Sequence, residues 1–512
     1  MANFVGTIVT RTTAGPLATG ADPGDSIFIA IQAERGLEDT VHEFTSYARF
    51  RQMFGGAEGT PLGSDTRITE ADEVLNILYS KGTSRKRCFA VRCVGSSAVQ
   101  AFATVPDGSA VNTIKIHAKG SGTWANTYEA TVSSGTKADT WKLELFKAAS
   151  DTVALETFDN LTLTDASLEA VSSQSDYISL ENLNSATAAP GNLPEAGDYL
   201  LGATQAGVDD NAPSASDIVG TDEGDGVKTG LKAFRDKKYG RGFIIAPGLD
   251  SDAAVRSEME GHFDAFSRVS LFAAPAGKTV STVQDDVPDL LGAYYWALPK
   301  VQDSVTEEIK PISPVGHVLA EWFEFLANED YGKHPAGKDF KVDRVIGIES
   351  QSNGAAYIDE AVAETLVGKG INPVYDKGSG LKIWGARTCS TDPNWAYLHA
   401  LYAFCVISDR LQRLLDDQIY ETASAGSFFE DLEEGMRILM ADLNSKGMFD
   451  GSTPSSREAE DFAAHGFSVK ANRELLTPSD LATNTIRVKV WFKDSLTAET
   501  IRAEIAKRAP TA

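Results

Sequence analysis

The sequence predicts a multidomain α/β protein: a core on a doubly wound, mostly parallel sheet, a β-rich inserted domain, and extended N- and C-terminal arms. Three observations predict it. Between residues 240 and 300, three apolar runs, GFIIAPG, SLFAAPAG and YYWALPK, each end at a proline and are separated by helical patterns, the alternation that builds parallel sheets. From about residue 111 to 164 the apolar period switches to two. NFVGTIVT at residues 3–10 reads as a strand with nothing local to pair with. The linker behind it, RTTAGPLATGADPGD, reaches about 50 Å when extended.

In chain order, SIFIAI (26–31) is a continuous apolar run typical of a buried strand. Helical patterns follow at 46–54, closed by Gly55 and Gly56, and at 69–80, closed by Gly82, before a strand at 88–94. In the insertion Ile114/Ile116, Trp141/Leu143/Leu145 and Val153/Leu155 alternate with polar residues. Between the proline-ended strands lie helices at 252–266, with Met259, Phe263 and Phe266 on one side, and at 283–292. A helix at 316–328, a strand at 344–348 and a helix at 356–367 follow. Residues 373–384 read as a hairpin turning over 376–380.

The next helix changes character halfway. Residues 394–408 are apolar almost all round, including Trp395, Tyr397, Leu398, Phe404 and Cys405, as suits a buried helix. From Asp409 onward only Leu411, Leu414, Leu415 and Ile419 form an apolar stripe, while Arg410, Arg413, Asp416 and Asp417 face elsewhere. Asp409/Arg413 and Arg413/Asp417 are spaced for i,i+4 pairing. A second amphipathic helix spans 428–446 and stops at Gly447. Ile486, Val488 and Val490 alternate as a strand, and TAETIRAEIAKRA fits either a helix or a strand. The expected organisation is an arm at 1–25, a first α/β part at 26–105, the insertion at 106–195, the doubly wound domain at 196–370, a C-terminal core domain at 371–492 and a C-terminal arm at 493–512.

Length alone, 512 residues, implies about three or four domains. Acidic residues exceed basic ones by 72 to 47, a net charge of -25, which argues against nucleic acid or an anionic membrane as partner, because phosphates need clustered cations. The short basic run Arg85, Lys86, Arg87 reads as a solvated lead-in to a strand. No apolar run approaches the ~20 residues that span a bilayer, and MANFVGTIVTRTTAGPLATG lacks the regions of a signal peptide. The expectation is a soluble protein made in a cytoplasm, without direct membrane insertion. Four cysteines in so long a chain form neither a disulfide framework nor a zinc site. Cys88 and Cys93, on opposite faces of one strand roughly 17 Å apart, are too distant to bond. Cys405 reads as a buried small hydrophobe, and Cys389, in a loop, leaves pairing between subunits open.

An α/β enzyme would hold its site where the proline-ended strands finish. Those loops offer Asp250 and Ser251, Gly277 and Lys278, Lys300 and Asp303. There is no nucleophile elbow, no Gly-x-Gly-x-x-Gly opening a helix and no His/carboxylate pair at metal-ligand spacing. Ser251 reads as a helix N-cap rather than part of an Asp250/Ser251/His262 grouping, with His262 partly exposed. GTDEGDGVKT (220–229) lacks the Gly-Lys adjacency of a phosphate loop, and Asp222, Glu223 and Asp225 would repel the ligand. DLNSKG (442–447) has Lys446 where a calcium loop needs oxygen, and reads as a helix end. The remaining histidines are scattered without a cluster. The residues point to no catalytic centre, no metal and no cofactor.

IWGART (383–388), followed by Asp392, Trp395 and Tyr397, then by Asp409, Arg410 and Leu411, resembles the contractile tail sheath proteins of bacteriophages and phage-derived injection systems. PISPVGHVLAEWFEFLANEDYGKHPAG (311–337), AKGSGTWANTYEATV (118–132) and SIFIAIQAERG (26–36) are similar to further segments of that family, so the resemblance spans most of the chain. It implies a non-enzymatic subunit that polymerises as homo-hexameric rings stacked in a helical array around an inner tail tube protein, with baseplate and tail terminator proteins as further partners. It also implies terminal arms that add strands to neighbouring copies, which makes Phe4, Val5, Ile8, Val9, Ile501 and Ile505 the inter-subunit candidates. The charged end of the bipartite helix, Arg410, Arg413, Asp416 and Asp417, becomes the candidate tube contact. Trp384, Arg387 and Trp395 are structural, the first two packing the strand end onto that helix. The competing reading is a hydrolase or nucleotide-dependent enzyme on the doubly wound sheet, which requires turnover dependent on Ser251 or Asp250.

Overall fold

A computed structural model describes residues 24–55, 66–82, 86–183, 193–210, 212–224, 226–302, 308–349, 358–418, 427–451, 465–483 and 485–495. The chain forms two compact units. The larger is Asp25–Phe323 with Ala336–Ala396; the other, among the described residues, is Glu324–Pro335 with the chain from Tyr397 onward.

The larger unit is built on an eight-stranded sheet. Its order is Leu381–Ile383, Ile371–Asp376, Gly292–Trp296, Arg268–Ala273, Gly242–Ile245, Ser26–Ile31, Arg87–Arg92, His42–Phe44. All neighbours from Ile371–Asp376 to Arg87–Arg92 pair in parallel, and only the two edge strands are antiparallel. The chain starts at Ser26–Ile31, grows outward to Arg87–Arg92, then returns to the other side of its first strand with Gly242–Ile245. That reversal is the mark of double winding. SIFIAI is buried at every position, as a strand covered on both faces must be. The three proline-ended runs lie side by side in chain order.

Gly242 shows why the reversal tolerates no side chain at this point. Its φ is +148°, and a Cβ there would lie 1.8 Å from the carbonyl oxygen of Ser26 in the adjacent strand. Gly242→Ala is expected to cost about 3 kcal/mol or more, since either the pairing or the backbone must yield. Chemical denaturation of the variant checks this, and a loss under about 1 kcal/mol would contradict it.

The insertion contains two antiparallel sheets. One orders Gln100–Pro106, Asn112–Ser121 and Ile178–Asn182; the other Gly197–Leu200, Glu129–Ser134, Trp141–Phe146 and Glu156–Leu161. Ile114, Ile116, Trp141, Leu143 and Leu145 share its core, as their alternation predicts. Val153 and Leu155 do not belong to a strand. The amide of Ala148 donates to the Asp151 carboxylate (3.1 Å) and closes a turn, which leaves Val153 79% exposed in the connection.

Chain entry and exit of the insertion meet at a neck. Gly95 N donates to Asp210 O (3.0 Å), and Val99 and Val208 exchange both backbone bonds at 3.0 Å. Beside it the buried Arg92 guanidinium donates to the carbonyls of Ala33 (3.0 Å), Gly36 (2.9 Å) and Ser121 (3.1 Å) and pairs with Glu38 (2.9 Å).

Elsewhere local chemistry redrew the expected boundaries. The helix expected over 252–266 breaks at Gly261 into Ala253–Glu260 and His262–Phe266, because glycine is costly inside a helix. Its N-cap is Asp252, whose carboxylate accepts from Ala254 N, and not Ser251. The helix expected over 283–292 is Val280–Gln284; Pro288 restricts Val287 and bars its extension. The strand expected at 344–348 shrinks to Gly347–Ile348 after Arg344 turns left-handed (φ 59°). Lys300 lies in the strand Pro299–Gln302 of a separate three-stranded sheet and not in a loop; Asp303 lies outside the described residues. The 373–384 hairpin forms as Ile371–Asp376 against Leu381–Ile383, its turn held by the Asp376 carboxylate accepting from Gly378 N (2.7 Å) and Gly380 N (3.0 Å). Cys389 is buried, its thiol 3.3 Å from Gly292 O and pushed up to about 12 by burial. A thiol so enclosed is no candidate for pairing between subunits.

Candidate assembly interface

In the smaller unit the bipartite helix runs Leu398–Asp416. It starts later than the 394 expected from the apolar run, because Asp392 caps a short 3-10 turn, Pro393–Trp395, and Tyr397 is extended (φ -117°, ψ 136°). Its first half is buried through Leu398, Leu401, Tyr402, Cys405, Val406 and Ile407. In the second half Leu411, Leu414 and Leu415 pack with Leu432 and Met436 and with Val469 and Val490, so the predicted stripe has an intramolecular partner; Ile419 lies outside the described residues. Leu432 and Met436 belong to the helix Phe428–Ser445, which carries Glu430 and Asp431 in its first turn, where the dipole favours anions.

The charged face divides in two. Arg410 is turned inward: its guanidinium meets Asp442 (3.1 Å) and the hydroxyl of Tyr331 (3.3 Å), and its side chain is 12% exposed. Lys446, which pairs with Glu329 (3.0 Å) and Asp442 (3.2 Å), lies over the same tyrosine ring. DLNSKG is thus a helix end held by cations, with Gly447 at φ 79° stopping it. Arg413 is part exposed and forms a two-bond pair with Asp409 (both 3.1 Å), the i,i+4 contact its spacing predicts. Asp416 and Asp417 are exposed. They stand at the C-terminal end of the helix, where the macrodipole disfavours negative charge.

The unit also carries a two-stranded sheet, Phe467–Lys470 against Lys489–Phe492. Val469 and Val490 face the helices, while Trp491 is 46% exposed on the outer face with Lys489 over its ring. Beyond Phe492, Lys493 N donates to Gly466 O (2.7 Å), Asp450 N donates to Lys493 O (3.1 Å), and Phe449 bridges to Asp494. The strand expected from Ile486 therefore begins at Lys489. The arm candidates Phe4, Val5, Ile8, Val9, Ile501 and Ile505 lie outside the described residues.

Two histidines that the sequence shows far apart meet here. His334 and His399 have ring centroids 3.7 Å apart, and His399 Nε2 lies 2.9 Å from Asp494 and 3.0 Å from Ser495 O. The reading of scattered histidines is corrected by this cluster, which only tertiary folding assembles.

The structural candidates lie in the larger unit. Trp384 sets its ring edge-on to Tyr375 (6.0 Å), within its own hairpin. Arg387 exchanges backbone bonds with the Asn372 amide (2.9 and 2.8 Å). Trp395 lies edge-on to Phe263 (5.9 Å).

The strand ends considered for catalysis are occupied by structural contacts. Asp250 is buried, accepts from Ala273 N (2.7 Å), and is raised to about 6 by burial. Ser251 is exposed. His262 is fully buried, not partly exposed: its Nδ1 accepts from Arg268 (3.1 Å) and its Nε2 faces Glu258 (3.5 Å). Burial, with the neighbouring Arg268 cation, lowers its affinity for a proton. Among the described residues no helix is long and apolar enough to cross a membrane.

No protein-family model matches the chain. A Pseudomonas aeruginosa (strain UCBPP-PA14) protein named as a prophage major tail sheath protein is 24% identical over 299 residues, covering 56% of this chain and 70% of that one. Among solved structures, a sheath tail protein from Desulfitobacterium hafniense superposes with a TM-score of 0.54 at 11% identity, covering 96% of this chain and 98% of that one. The helical sheath of the anti-feeding prophage in its contracted state gives 0.52 at 13% identity, over 99% of this chain and 100% of that one. The chain resembles the contractile tail sheath proteins, in fold over nearly its whole length and in sequence over more than half of it.

Proposed function

We propose that this chain is the structural subunit of a contractile tail sheath. It polymerises as stacked hexameric rings around an inner tail tube, joins baseplate and terminator proteins at the ends, and contracts to drive the tube through a target envelope. It is made and assembled in a bacterial host cytoplasm and resides in the tail. The observation that carries this reading is the two-stranded sheet: each of its strands has only the other as ladder partner among the described residues, and the outer one continues directly into residues 496–512. Although the pair packs on the helices through Val469 and Val490, a two-stranded sheet presents ladder edges that suit strand addition from other copies. The arms at 1–25 and 493–512 are the proposed donors. A bond made through a long linker survives rotation of the bodies it joins, so contraction needs no nucleotide, only additional surface buried between subunits. Negative-stain imaging of the purified protein tests the reading, with tubes or rings expected; a strictly monomeric protein would oppose it.

The tube contact is proposed for the exposed end of the bipartite helix, with Asp416 and Asp417 as its strongest members. Charges placed against the helix dipole cost stability there, about 0.3–1 kcal/mol each, which favours a role in recognition. Asp416→Lys combined with Asp417→Lys should leave the fold intact or slightly stabilised, and rings should still form. Co-sedimentation with tube assembled from the cognate tube protein should fall at least about tenfold, the loss of roughly 1.4 kcal/mol. Unchanged tube binding would remove these residues from the contact.

A further inference from the structure

The last described strand of the smaller unit is fastened by groups that titrate. His399 Nε2 stands between two acceptors, Asp494 (2.9 Å) and Ser495 O (3.0 Å), so this nitrogen carries the proton. The His399 Nδ1 has no hydrogen-bond partner among the described residues. Against this ring lies His334, at 3.7 Å between centroids. Lys333 and Asp494 are charged neighbours of His334, and the Tyr397 ring lies 5.8 Å from that of His399.

We propose that His334, His399 and Asp494 form an acid-sensitive clasp that holds residues 489–495 closed at neutral pH and releases them as the pH falls. Two imidazoles in ring contact at 3.7 Å cannot both be charged without repulsion. Burial and the neighbouring His399 hold His334 down to about 3. In the open form it returns to its ordinary value near 6.5, so the closed form is favoured above that value and loses ground as pH falls from about 6.5 toward 3. Asp494 acts in the same direction: its bond to His399 holds it below the ordinary carboxylate range, against the opposing effect of burial. The opposite end of the chain is rooted differently. Asp25 pairs with Arg241 at 2.8 Å, both buried, and a guanidinium keeps its charge at any such pH.

Hydrogen–deuterium exchange of the full chain, followed by mass spectrometry and corrected for the intrinsic rate, tests the clasp without reference to assembly. Between pH 7.5 and 5, protection of 489–495 should fall roughly thirtyfold by proton linkage, while Ser26–Ile31 stays constant. His334→Phe, which keeps a ring against His399 but cannot titrate, should flatten that fall, and His334→Gln should do the same if the ring does not fit. Equal protection of the native chain at both pH values overturns the proposal. So does an unchanged fall in either folded variant.

Discussion

Deleting residues 1–20 is expected to abolish polymerisation and leave a folded monomer. The deletion leaves Asp25 and Ser26 in place: the Asp25 carboxylate is held by Arg241 at 2.8 Å with both side chains buried, and Ser26 N donates to Arg241 O at 3.1 Å. The sheet strand Ser26–Ile31, buried at every position, therefore keeps both neighbours. Thermal or urea unfolding should change by less than about 1 kcal/mol. Sedimentation and negative stain should show the effect instead, with tubes or rings replaced by single subunits, because residues 3–10, the proposed donor segment, have gone. Normal tubes from the truncated protein would eliminate the N-terminal arm as a link between copies. An unfolded product would show only that the linker supports the core, and the two results separate cleanly by circular dichroism.

The largest loss of stability from one side chain is expected at Arg268. The residue is fully buried. Its Nε donates to Gly240 O (3.1 Å), Nη1 to Phe234 O (2.6 Å) and to His262 Nδ1 (3.1 Å), and Nη2 to Asp236 O (3.0 Å). Its planar group also lies 3.7 Å from the ring of Phe28. One side chain thus satisfies a run of carbonyls that precede the strand Gly242–Ile245 and stacks on the strand beside it. Arg268→Ala leaves those acceptors buried and opens a cavity, a loss of about 4 kcal/mol. Arg268→Lys keeps the charge without the fork and should recover less than half of it. A midpoint shift in urea corresponding to less than about 1 kcal/mol for the alanine variant would mean that water or rearrangement replaces the guanidinium.

What the sequence revealed was what local pattern can encode. SIFIAI was readable as a buried strand and the three proline-ended runs as a parallel sheet, because strands covered on both faces are apolar throughout; that SIFIAI joins those runs in one sheet was not, since its partner among them lies more than two hundred residues away. Boundaries failed where a single cap or proline decided them: Asp392 and Pro393 make a 3-10 turn that periodicity alone reads as helix. The alternation of Val153 and Leu155 was fortuitous, since a turn at Asp151 keeps both out of the sheet. At the candidate interface, Arg410 looked like a solvent-facing cation because no helical pattern shows that Tyr331, from a distant segment, lies beside it. For the same reason His334, His399 and Asp494 carried no signal; each is unremarkable in its own neighbourhood. Asp416 and Asp417 were legible as exposed; their conflict with the dipole emerges only once the helix is seen to end at Asp416.

The closed neck of the inserted domain has a consequence for how such chains diversify. Because Gly95 and Asp210 meet, and Val99 and Val208 pair across the same gap, both ends of the module leave the parallel sheet at one place, with Arg92 and Arg49 reaching across to Ser121 and Asp176. A lineage could enlarge, shrink or exchange that module, and with it whatever the module displays, through changes confined to one loop of the ancestral gene. An engineer could graft a foreign binding domain at the same junction, leaving the framework strands and their order untouched.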